Sequence, residues 1–340
     1  MSRLFEKQTT KADIMSGLTG ALLLGAYSLC AAASLGLGLW NVLFCVIICS
    51  LASVKLKNKI YAPDAFLLIP AHYVVSECGI YYLPVCITVG VLFYLFLSKL
   101  IKKNNRIKSV IAWLTLILAL VATVILTNLY FGIGSTGSTA IEMLKSYRSL
   151  GFHPNFRGLL YGTVTLFAMI TYPFKFRRLN KKLPAEFMTL LIPLIMNLFL
   201  NPQKDLTTVN EISSFELPFN FPGIPAEADF LTIIFGCIYF GFVLFLRSSE
   251  KDATQNAYTN IVNGFIPFLP ARQFDVTSYS LVSAITTIVV SIPIIFLFPD
   301  ILARIPMHCV GALLIVSAWQ QVPYKNLFLL FKKADKGVQK

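Results

Sequence analysis

The chain has 340 residues, 56% hydrophobic and only 13% charged, with a formal net charge of +13 and a mean hydropathy of +0.71. A soluble domain carries about 25% charged residues, so this composition excludes a soluble enzyme or binding module and describes a polytopic membrane protein. The positive excess fits basic loops on one side of a membrane, and no nucleic-acid partner is expected.

Lys7 and Lys11 precede the first apolar run, but no small-residue cleavage site leads into a polar mature chain, so the start is not a cleavable signal peptide. Residues 1–15 read as a cytoplasmic segment. A helix needs about 20 apolar residues to cross a bilayer, and shorter runs suggest broken or half helices. The first run covers 16–37 and the second 39–54. A third, short run begins at Tyr61-Ala62-Pro63-Asp64-Ala65-Phe66 and reaches about Val75. The fourth covers 81–100, the fifth 110–131, the sixth 159–174, the seventh 187–200 and the eighth 230–246. A weaker ninth covers 257–268. A second proline-broken run, Phe265-Ile266-Pro267-Phe268-Leu269-Pro270-Ala271-Arg272, leads into a short tenth. The eleventh covers 281–298 and the twelfth 306–319. That makes about twelve crossings or part-crossings.

Basic residues set an orientation. With the N-terminus inside, the lysines at 55, 57 and 59, the cluster from Lys99 to Lys108, the cluster from Lys175 to Lys182, Arg247, Lys251 and the terminal lysines all fall inside. The acidic segment 201–229 falls outside, as does 132–157. This alternation obeys the positive-inside rule and puts both termini in the cytoplasm of a bacterial-type inner membrane. The transmembrane domain spans 16–320, with a first repeat at about 16–200 and a shortened second at about 226–320. A basic cytoplasmic tail covers 321–340.

Non-helical backbone is tolerated at membrane depth only where it is buried in protein or lines a cavity. Two interrupted segments in corresponding halves point to a transporter's substrate site. The two proline breaks are therefore read as a matched pair. No paired carboxylates, HExxH or GxSxG occurs, so no enzyme activity or cofactor is expected. The seven cysteines lie mostly inside apolar runs without metal spacing and read as small core residues. His72 and His308 read as structural. The glycine-rich stretch 134–139 lacks the lysine of a phosphate-binding loop.

Several short motifs carry a resemblance. Arg304-Ile305-Pro306-Met307-His308-Cys309-Val310-Gly311-Ala312-Leu313-Leu314-Ile315-Val316 resembles the "iPlavLaaiLiv" helix of the SulP anion transporters. Ala62-Pro63-Asp64-Ala65 is similar to that family's "vGPdA", Gly17-Leu18-Thr19-Gly20-Ala21-Leu22 to its "aGLtvAL" first helix. Ser214-Phe215-Glu216-Leu217-Pro218 with Pro222-Gly223-Ile224-Pro225 resembles its outer loop before helix eight, and Asn256 with Asn260-Ile261-Val262-Asn263-Gly264 its "pNqEl…aNivsGlfGg.P". The matches fall in the expected order.

The resemblance implies an all-α, UraA-like inverted repeat. Half-helices three and ten face each other at the midplane with a small anion, such as sulfate or bicarbonate, between their N-termini. Such an end presents free N–H groups and about half a positive charge. The expected site comprises Pro63, Asp64, Ala65, Phe66, Tyr27, Tyr239, Pro270, Ala271 and Arg272, with Arg272 adding a full positive charge at depth. Asp64 also suits a helix N-cap, and Arg272 could instead snorkel to headgroups. Tyr27 and Tyr239 enter because the family has Pro-Gln in helix one, where this chain has Ala26-Tyr27, and an acid in helix eight, where it has Ile238-Tyr239-Phe240. Their hydroxyls either replace those polar groups or fill space. The last two helices and the STAS domain of the family are expected to be absent. The expected partners are a small inorganic anion, membrane lipids, and a homodimer mate or membrane subunit. Two alternatives stand beside anion transport: a non-transporting or partner-dependent subunit, and a nucleobase-type permease.

Overall fold

The computed structural model describes residues 7–54, 59–101, 105–151, 153–200, 206–209, 229–247, 270–276 and 278–327. The motifs at 214–225 and 256–264, the ninth run at 257–268 and Pro267 lie outside the described residues.

Apolar runs long enough to bury their own backbone become helices, because in hydrocarbon only internal hydrogen bonds are on offer. The described helices are α1 (Lys7–Leu35), α2 (Leu39–Ser53), α3 (Leu68–Glu77), α4 (Leu83–Leu100), α5 (Asn105–Phe131), α6 (Ala140–Leu150) and α7 (Phe156–Lys175). They continue with α8 (Arg177–Asn180), α9 (Ala185–Leu200), α10 (Phe230–Arg247), α11 (Leu281–Leu297), α12 (Pro299–Leu302), α13 (Met307–Gln320) and α14 (Tyr324–Leu327). Four of the helical stretches, Lys11–Leu35, Ile80–Leu100, Ile107–Phe131 and Phe230–Arg247, are long and apolar enough to cross a membrane, and several shorter apolar helices lie beside them. Large apolar side chains stay exposed along the periphery, as at Val110, Trp113, Ile117 and Leu120 on one face of α5. The chain is an all-α, multi-pass integral membrane protein.

The helices pack as two interlocked groups. In one, α10 lies along α4 and touches α3, while α1 lies against α2 and α11. In the other, α13 lies on α5 and α7, and α7 on α9. Small residues let the backbones approach, as expected where lipid offers no hydrophobic drive for helix association. A Cβ on Gly241 of α10 would sit 2.6 Å from the Gly90 carbonyl oxygen of α4. At the α1–α11 contact, Thr287 Oγ1 donates to the Gly17 carbonyl at 2.8 Å.

A two-stranded antiparallel sheet lies between these helices: β1 (Lys59–Pro63) and β2 (Pro270–Asp275). Its register runs from Lys59 opposite Asp275 to Pro63 opposite Pro270, with an irregularity at Ala62/Pro63. Here the structure corrects the expectation of a short tenth helix. β2 ends at Asp275, the described residues between it and α11 are not helical, and α11 begins at Leu281 under a Ser280 N-cap. The reason is backbone satisfaction. Tyr61 and Ala62 of β1 are fully buried, so their N–H and C=O groups need partners, which a second strand supplies and a self-satisfied helix would not.

Candidate functional site

The two proline breaks meet in space. β1 leads out of α2, where the Ser53 hydroxyl accepts from the Tyr61 N–H at 2.9 Å. Proline has no N–H to give to a ladder, so the pairing ends where Pro63 faces Pro270. The chain then turns through Asp64, whose φ of −100° and ψ of 127° are extended, into a 3-10 turn, Ala65–Leu67, and on into α3. Pro70 falls in the first turn of α3, where a missing N–H costs nothing.

Asp64 closes the start of this broken helix. Its Oδ1 accepts from the Phe66 N–H at 2.9 Å, and its backbone carbonyl accepts from Leu67 at 3.1 Å. The capping role read from the sequence is therefore the one the structure shows. The carboxylate has a second partner that the sequence reading did not select. Arg247, the last residue of α10, donates from Nε to Asp64 Oδ2 at 2.9 Å, with side-chain exposures of 16% for Arg247 and 0% for Asp64. Its Nη1 donates to the Gln321 backbone carbonyl at 3.3 Å and its Nη2 to Gln321 Oε1. The guanidinium carbon also lies 4.9 Å from the centre of the Phe66 ring, within cation–π range. Gln321 Nε2 donates to the Ser317 carbonyl at 3.0 Å, which turns the amide oxygen toward the arginine.

The structure thus brings Pro63, Asp64, Ala65 and Phe66 together, all buried, and runs the backbone of Pro270, Ala271 and Arg272 beside Pro63 and Ala62. Tyr27 is also close by: its ring packs on Phe274 of β2 at 5.3 Å, and its hydroxyl donates to Glu186 Oε1 of α9 at 3.4 Å. Tyr239 is not brought to this junction. It meets Tyr73 of α3 edge-on, with ring centres 6.2 Å apart. It also sits eight residues before Arg247, about 12 Å back along α10. Residues missed in the sequence were Arg247, Gln321 and Glu186. Arg247 had been placed among the loop cations, and no periodic signal separates a basic residue that folds back onto its helix from one that faces water. Among the described residues, no group of three His, Cys, Asp or Glu side chains could hold a metal ion.

Toward the other end of α3, His72 hydrogen-bonds the Gly137 carbonyl at 3.2 Å. Gly137 belongs to a loop folded by local polar contacts. Asn128 Nδ2 donates to the Ser135 carbonyl at 2.8 Å, Tyr147 donates to Asn128 Oδ1 at 2.9 Å, and Thr139 with Glu142 forms the capping box of α6. Beside this loop, Asn128, Gly132, Thr207, Thr208 and Met307 line a cavity of about 410 Å³.

No family model matches the chain, and no curated protein matches it in sequence. The fold does match solved structures. The transmembrane domain of a cyanobacterium bicarbonate transporter, BicA, superposes with a TM-score of 0.71 at 15% identity, covering 96% of this chain and 91% of that one. The murine Solute Carrier 26 family member A9 anion transporter in its inward-facing state gives a TM-score of 0.69 at 15% identity over 99% of this chain. A further structure of SLC26A9 gives 0.67 at 14% identity over 96% of this chain. This chain spans 64% and 60% of the length of those two proteins. At these identities the likeness is one of fold: this chain has the fold of the transmembrane domain of these transporters.

Proposed function

We propose that the protein carries a small anion across the membrane, by movement of the group holding α3 and α10 against the group holding α5, α7 and α13. The observation that supports this most is Arg247. A guanidinium four-fifths buried, with Nε paired to Asp64 and its terminal nitrogens on a neutral residue, offers an anion two donors at the start of a broken helix. It stands at the break that a transporter fold uses for its substrate, and the similar folds belong to proteins described as a bicarbonate transporter and an anion transporter. The planar fork of arginine matches the oxygens of sulfate, bicarbonate or a carboxylate.

On this reading, the terminal nitrogens of Arg247 hold the anion, beside the start of the broken helix that Asp64 caps. Pro63, Ala65 and Phe66 shape the wall and Tyr27 its edge, with Pro270, Ala271 and Arg272 alongside on β2. Asp64 adds a further role to its N-cap. It is the counter-charge that lets Arg247 remain buried, since an unpaired charge at this depth is costly. The test is uptake of radiolabelled sulfate and of bicarbonate into proteoliposomes containing the purified protein. Saturable uptake that Arg247→Met abolishes, with folding intact, is the expected result. Uptake of neither anion by well-folded protein would overturn the proposal.

A further inference from the structure

The proposed anion-carrier function leaves one question that Arg247 itself answers: what holds the carrier still when it is empty. The five donors of an arginine lie in a fixed fork, and here both ends of that fork are in use. Nε points to Asp64, which leads into α3, a helix that packs on α10. Nη1 and Nη2 point to two oxygens of one residue, Gln321, which caps the C-terminus of α13. α13 belongs to the other group, packed on α5 and α7. The terminal nitrogens therefore tie one group to the other, whereas Nε does not. Each terminal nitrogen thus has one Gln321 oxygen as its acceptor, and the Ser317 contact keeps the side chain turned that way.

We infer that Gln321 occupies the place on Arg247 that the transported anion takes. The anion then displaces Gln321 and frees α13. An oxyanion adds a full opposite charge and a geometry that matches the arginine fork, so it competes well against an amide and a backbone carbonyl. It also replaces two bonds between groups with bonds inside one group. The empty carrier keeps the tie and returns slowly. The loaded carrier has lost it and moves. The chemistry is therefore that of an anion exchanger, and the ligand class is a small oxyanion able to accept two parallel N–H bonds.

The test uses the full chain in vesicles loaded with labelled sulfate. Efflux is measured into anion-free buffer and into buffer with unlabelled sulfate. The wild-type protein is expected to show much faster efflux against external sulfate. Gln321→Leu removes the side-chain half of the tie and raises efflux into anion-free buffer about tenfold, the scale of one hydrogen bond to a charged group. Gln321→Glu places a carboxylate on the fork and slows both. A second readout does not depend on flux: spin labels at the exposed Phe242 of α10 and Leu120 of α5, practicable because all seven native cysteines are buried. One distance is expected without sulfate, with a second population on adding sulfate or in Gln321→Leu alone. Sulfate exchange with an unchanged ratio and unchanged distances in Gln321→Leu would overturn the tie and leave the carrier function standing. No exchange and no response of the labels to sulfate in the wild type would overturn both.

Discussion

Replacing Asp64 by alanine removes two things at once, and their sizes can be separated. The first is the N-cap bond to the Phe66 N–H, a loss of about 1 kcal/mol. The second is the counter-charge of Arg247. Breaking a buried ion pair by deleting one partner costs about 3–5 kcal/mol. The lower end applies here, because Arg247 retains Gln321 and Phe66 and its side chain is 16% exposed. The sum is about 4 kcal/mol. Asp64→Asn keeps an oxygen for the cap and loses the charge-assisted bond, about 2 kcal/mol. Asp64→Ala combined with Arg247→Met removes the stranded charge and is expected to be more stable than Asp64→Ala alone. Equilibrium unfolding in mixed detergent micelles, followed by tryptophan fluorescence, measures all four proteins. With Arg247→Met measured as a fifth protein, the reasoning fails if the double variant loses the sum of the Asp64→Ala and Arg247→Met losses, or if Asp64→Ala unfolds with the wild type.

Three further outcomes follow from the packing and the outer loop. A Cβ on Gly158 of α7 would lie 1.9 Å from His308 Nε2 of α13, a fully buried ring. Gly158→Ala should therefore cost about 3 kcal/mol, and adding His308→Ala should recover part of it; equal instability with and without the histidine would contradict the contact. Gly241→Ala pushes a methyl against the Gly90 carbonyl, which is backbone and cannot rotate away. A loss of about 1–3 kcal/mol is expected in the same unfolding assay. The Glu142 carboxyl is held below its usual value of 4.5, chiefly by the Ser138 hydroxyl, with the Ser138 and Thr139 N–H groups adding to the effect. Its folded value being depressed, the support it gives α6 is complete above the ordinary carboxylate range and is lost as pH falls through the folded value. Amide exchange in 138–146 should accelerate on acidification through that depressed folded value, and Glu142→Gln should remove that acid dependence.

Much of the architecture could be read in order along the chain. The runs expected at 81–100, 159–174, 187–200, 230–246 and 281–298 correspond to α4, α7, α9, α10 and α11 within a few residues. Of the two proline breaks, Pro63 and Pro270 face each other across the sheet. The partner of the break was harder to see. Arg272, next to the second proline, was the natural cation to choose from local sequence. The guanidinium on Asp64 comes from Arg247, 183 residues away. The tenth element was expected as a helix by analogy with the third, and it is a strand.

Sequence alone determined where the chain is apolar enough for long helices and where those runs are interrupted. Bilayer thickness fixes the length of an apolar helix, and proline removes a donor wherever it stands; both act locally and leave a local record. Only the tertiary structure decided which partners close the interruption. β1, buried among the helices, must have its backbone paired and Asp64 must have its charge met, but any strand or any cation within reach would satisfy those demands. The helix packing that carries Pro270–Asp275 and Arg247 to the same few ångströms made the choice.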